Sequence, residues 1–223
     1  MRIRSFIIAY TLVLAILLFA DRRPGSTQQD RYSHVVDLTV GDLAEGQVMT
    51  ATHFLAGPRT HIIAPDALIP GTWSAGQIPA ERLVAPLVVM DLNAPVKCSL
   101  QISLDDIAAW ESQHGMIPQG AVVAIRRGGA CHDSKEVFPI ARDAAQFLME
   151  ARYTIGFAIE APVNLTSDRT LSRQLALHGT YVVEGAARFT TLPATGSLII
   201  VAPAKNTIKK PGEASVRVLA MVR

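Results

Sequence analysis

An α/β domain with a mixed sheet and flanking helices, preceded by an N-terminal hydrophobic helix, is the architecture this sequence predicts, and three observations predict it. Most apolar signals after residue 31 are short runs bounded by turn residues. Amphipathic stretches of helical period lie between several of them, and the chain finishes in strand-like segments. Strands interleaved with helices and then a strand-rich end give one layered α/β domain rather than a bundle or a sandwich.

The first element is the apolar run Ser5 to Ala20, behind a basic start at Arg2 and Arg4 and ahead of the polar exit Asp21-Arg22-Arg23-Pro24. Its length falls between a signal-peptide core of about 7–15 residues and a spanning helix of about 20. Residues 1–23 therefore read as a signal peptide or membrane anchor, and the bulky Phe19 beside Ala20 favours the uncleaved form. The charges on the two flanks nearly balance, and the expectation is a domain outside the cytoplasm, exported to the periplasm or tethered at the membrane. Residues 24–31 are polar, with Pro24 and Gly25, and read as a linker; residues 32–223 form the domain.

Within it, Val35 to Val40, Leu87 to Leu92 and Ala121 to Ile125 read as strands. Between the last two, Ser103 is a plausible N-cap with Asp106 at the capping-box position. Leu104, Ile107 and Trp110 share a face, and Gly115 stands where a C-cap belongs. A second helix runs from Ile140 to Ala151, a strand from Tyr153 to Ile159, and a third helix from Arg169 to Ala176. Strands at Thr180 to Glu184, Gly196 to Val201 and Ala214 to Val222 complete the chain.

Composition excludes some functions. A net charge of +2 with interspersed signs leaves no basic stripe, and aromatic residues are few, so nucleic acid is not a partner. Cys98 and Cys131 are either one disulfide in an oxidising compartment or two unrelated thiols. Common catalytic patterns fail as well. Thr72-Trp73-Ser74-Ala75-Gly76 lacks the first glycine of a nucleophile elbow and reads as a surface loop. Arg126-Arg127-Gly128-Gly129 lacks the spacing of a phosphate-binding loop and reads as a turn, and no two of the six histidines are four residues apart.

Around His61 the sequence says more. The run Gly57-Pro58-Arg59-Thr60-His61-Ile62-Ile63-Ala64-Pro65-Asp66-Ala67 resembles the metal-binding segment H-x-G-T-H-x-D-x-P-x-H of the cyclase family, which includes kynurenine formamidases. Val36-Asp37-Leu38-Thr39 is similar to that family's opening strand, and Gln77 to Pro86 to the segment before its Val-Val-x-Asp strand. Tyr181 to Gly185 and Leu192 to Gly196 are similar to two of its later motifs. The common order and spacing carry the resemblance across nearly all of the soluble domain.

The resemblance implies a swivelling β/β/α-type fold, a homodimer or larger oligomer, and metal-dependent hydrolysis of an amide such as N-formylkynurenine. It also implies a pair of divalent metals, usually zinc, held by three histidines, an aspartate and a downstream glutamate, with a further histidine as proton shuttle. Position by position, His61 and Glu184 remain as ligands. Gly57, Ile63 and Ala67 stand where the resemblance implies two histidines and the aspartate, Arg59 replaces the motif glycine, and Ser172, beside a retained Arg173, replaces the shuttle. One imidazole and one carboxylate do not close a dinuclear site. The expectation is an enzyme-like domain with a degenerate metal site and no cofactor, its old cleft near Arg59, Arg173 and Trp73 open to a small carboxylated or aromatic ligand. The alternatives are an active amide or ester hydrolase, with zinc or manganese on a rebuilt mononuclear site of His61, Glu184, Asp66 and His53, and a membrane-tethered interaction module.

Overall fold

In the computed structural model, residues 32–40, 60–92, 100–127, 137–161, 163–205 and 213–223 are described. The signal or anchor segment and its linker, His53, Gly57, Arg59 and both cysteines lie outside them. No helix among the described residues is long and apolar enough to cross a membrane.

The elements are strand β1 (His34–Asp37), β2 (His61–Ile63), a single turn of helix α1 (Pro65–Leu68), β3 (Val84–Leu92), helix α2 (Leu104–His114), β4 (Val122–Arg127), α3 (Arg142–Ala151), β5 (Gly156–Ile159), α4 (Arg169–Leu177), β6 (Tyr181–Glu184), β7 (Ser197–Pro203) and β8 (Glu213–Val222). Strands β3, β4, β5 and β6 are parallel, and the three helices α2, α3 and α4 make the crossovers between them. The antiparallel β7, β8 and β2 then join β3 back to β6, so the mixed sheet expected from the sequence closes into a seven-stranded barrel. Short β1 pairs with the far end of β8.

Alternation along the parallel strands divides the core in two. Leu87, Val122, Ala158 and Tyr181 fill the barrel, while Val88, Val123, Phe157 and Val182 face α2, α3 and α4. Tyr181 shares a layer with Leu87, Val122 and Gly156. Its ring covers Gly156 so closely that a β-carbon there would lie 2.4 Å from Cε2, and its hydroxyl donates to the Arg82 carbonyl at 2.9 Å. Burial pushes that phenol far above its ordinary pKa.

Local signals set most boundaries. Ser103 and Asp106 form the reciprocal capping box, and Gly115 ends α2 at φ 86°. Helix α3 starts at Arg142 rather than Ile140, because Ile140 bridges to Ile102 and the Ala141 amide donates to the Ile102 carbonyl. The loop Thr72 to Gly76 is not merely superficial: a 3-10 turn at Ala75–Gln77 carries Ala75 and Ile78 into the barrel core.

Candidate functional site

The antiparallel pairing of β2 with β6 sets His61 directly opposite Glu184. Their strand neighbours two residues away, Ile63 and Val182, belong to the helix-facing core, so both side chains lie on that face of the sheet. His61 Nε2 is 3.2 Å from Glu184 Oε2, and the other carboxylate oxygen accepts the Val163 amide at 3.2 Å. The Glu184 side chain is 4% exposed and that of His61 19% exposed. A carboxylate so deeply placed is tolerated because one oxygen accepts the Val163 amide and the other lies against the His61 imidazole. The ion pair of Glu184 is with His61, and Arg173 is exposed on α4.

The remaining predicted residues go elsewhere. Ser172, at the shuttle position, is buried, and its hydroxyl donates to the Leu165 carbonyl at 2.5 Å, pinning the turn before α4. Asp168 caps α4 through the Thr170 and Leu171 amides and pairs with Arg142, which together hold its carboxyl below the ordinary range despite burial acting the other way. Asp66, in α1, does not join His61 and Glu184: among the described residues no three His, Cys, Asp or Glu are grouped as metal ligands. Trp73 packs over Gly179 with the Arg82 guanidinium 5.5 Å above its ring, at the start of β6 and so at the opposite end from Glu184.

Two features went unread in the sequence. The buried Thr60 hydroxyl accepts the Val40 amide and donates to the Gly185 carbonyl, each at 2.7 Å, immediately behind the pair. Asp91 and Arg126, opposite one another at the ends of β3 and β4, form a bidentate ion pair that also reaches the Phe189 carbonyl.

The profile of the family described as putative cyclase matches residues 23–163, well over half of the chain. The chain belongs to the putative cyclase family. Solved structures agree with that cyclase assignment. Isatin hydrolase A from Labrenzia aggregata, bound to benzyl benzoate, is 25% identical with a TM-score of 0.68, over 91% of this chain and 98% of its own. A structure described as a potential metal-dependent hydrolase with cyclase activity is also 25% identical, with a TM-score of 0.63 over 85% of this chain and 98% of its own. Isatin hydrolase A from Ralstonia solanacearum, 22% identical over 85% of this chain and 92% of its own with a TM-score of 0.67, shares the fold. No curated protein matches by sequence.

A metal pair tests poorly against this chain's own residues. At the aspartate position, Ile63 is 8% exposed and packs in the helix-facing core, where it offers no lone pair. Ala67, at the last histidine position, is exposed on α1. His61 and Glu184 supply two donors already engaged with one another, and the described residues do not fit a dinuclear centre.

Proposed function

We propose that this cyclase-family chain keeps the hydrolase fold while its metal site is degenerate, with little or no hydrolysis of amides such as N-formylkynurenine. Its role is then that of a binding or interaction module, exported or tethered outside the cytoplasm and homo-oligomeric, with the His61–Glu184 cleft open to a small carboxylated or aromatic molecule. The observation that carries this reading is Ile63, an apolar side chain packed in the core at the place of a bridging ligand. In such a cleft His61 stands at ion-pair distance from Glu184, Glu184 accepts the Val163 amide, and Ser172 has its hydroxyl committed to a backbone carbonyl. None of these contacts prepares a nucleophile.

A second reading, a mononuclear hydrolase, draws on the same distance. Donor atoms on one tetrahedral zinc at about 2.0–2.1 Å stand roughly 3.3 Å apart, close to the 3.2 Å between His61 and Glu184. Turnover separates the two. The full chain, supplied with zinc or manganese, is expected to hydrolyse N-formylkynurenine and isatin no faster than the metal alone. Metal-dependent turnover that disappears in His61→Ala would establish the hydrolase instead.

A further inference from the structure

We infer that Thr60 is the positioning residue of the His61–Glu184 pair, acting through the backbone on the face of the sheet opposite the cleft. The inference rests on reading that cleft as the functional site. Strands β1 and β2 occupy successive stretches of one edge of β8: the Leu38 amide donates to the Val218 carbonyl, and the Val216 amide to the Thr60 carbonyl. The first stretch ends at Val40 and the second begins at Thr60.

The β2–β6 ladder spans only His61 to Ile63 against Val182 to Glu184, which makes His61–Glu184 its last rung. Terminal rungs open most readily. One residue beyond that rung, the Thr60 hydroxyl joins three segments: it accepts from the Val40 amide at the end of the β1 segment, donates to the Gly185 carbonyl after β6, and belongs itself to β2's lead-in. Both bonds are 2.7 Å, and Thr60 is 3% exposed. Ile62, two residues on, lies in the barrel core, so the Thr60 side chain shares that inner face while His61 points the other way. Gly185 at φ 67° turns the chain there, a conformation that leaves its carbonyl within reach of the hydroxyl. Nothing on Thr60 touches the cleft. It holds the two backbones whose next residues are His61 and Glu184.

The test is nuclear magnetic resonance on the full chain with labelled histidine. Thr60→Val keeps the shape and removes the hydroxyl, and Thr60→Ser restores it. In Thr60→Val the His61 Nε2–H is expected to exchange with solvent about tenfold faster or more, with the far-UV circular dichroism unchanged, while Thr60→Ser behaves as wild type. An unchanged His61 Nε2–H in Thr60→Val overturns the inference. Should Thr60→Val fail to fold, the wild-type chain gives its own answer: the Val40 amide, whose acceptor is the Thr60 hydroxyl, is expected to be protected from exchange about tenfold or more, and a Val40 amide that exchanges as fast as in an unfolded chain contradicts the clamp. Neither readout depends on metal or turnover, so a failure here is distinguishable from a failure of the degenerate-site reading.

Discussion

Replacing Ile63 with aspartate puts back the one ligand whose loss weighs most in the proposed function, and the structure fixes what that change does. Ile63 is 8% exposed, in the helix-facing core, and opposite the fully buried Val182. Removing the side chain forfeits about 2–3 kcal/mol of apolar burial. A carboxyl left on that face without a cation adds about 1–3 kcal/mol for an unsatisfied buried polar group. Together these amount to about 3–6 kcal/mol, a large part of a domain's stability of about 5–15 kcal/mol. At about 2–4 °C per kcal/mol for a domain of this size, Tm falls by roughly 6–24 °C. Because residue 63 shares its sheet face with His61 and Glu184, the variant also gains a third donor, and zinc or manganese is expected to restore part of the loss. Saturating metal at about a hundred times Kd contributes about 2.7 kcal/mol. Differential scanning fluorimetry with and without metal reads both effects. A variant as stable as wild type refutes the packing argument, and a wild-type Tm that rises with metal as much as the variant's refutes the loss of the site.

Two further outcomes follow from the packing. Gly156→Ala sets a methyl 2.4 Å from a ring that is fully buried and anchored by its hydroxyl to the Arg82 carbonyl. Denaturant unfolding is expected to show a loss of about 3 kcal/mol or more, and near-wild-type stability would mean the Tyr181 ring does not cover Gly156. The Arg152 hydrogen bonds hold the Glu111 carboxyl below its ordinary value of 4.5, helped by the Ile117 amide and opposed by burial. A depressed carboxylate contributes stability in full above that ordinary value and loses it as pH falls through the depressed one. Glu111→Gln is therefore expected to cost about 1.5–3 kcal/mol near neutral pH, with the gap to wild type closing in acid. A gap independent of pH would contradict the ion pair as its source.

Much of the fold was legible because its signals are local. Ser103, Asp106 and Gly115 mark α2 within a few residues of themselves, and the apolar runs at Leu87 and Ala121 are long enough to declare buried strands. The closure of the sheet was not legible. It depends on β7 pairing with both β3 and β8, and nothing near Ser197–Pro203 says that this strand has two partners. Strand β2 is three residues long, too short for any period to show, and its sequence drew notice only for its likeness to a metal-binding segment. That likeness singled out His61 and Glu184. It could not supply their pairing, which follows from the β2–β6 register, nor the fate of Ser172, whose hydroxyl the turn at Leu165 takes up. The two partners of the Thr60 hydroxyl stand 20 and 125 residues away in the chain, beyond the reach of any local signal.

Metal content tests the degenerate site most directly. The full chain, purified without chelator and analysed by inductively coupled plasma mass spectrometry, is expected to carry less than about a tenth of an equivalent of zinc or manganese, since a site with too few ligands does not retain its ion. A near-stoichiometric ion that disappears in His61→Ala would contradict the account and show that this cyclase-family chain keeps a metal site.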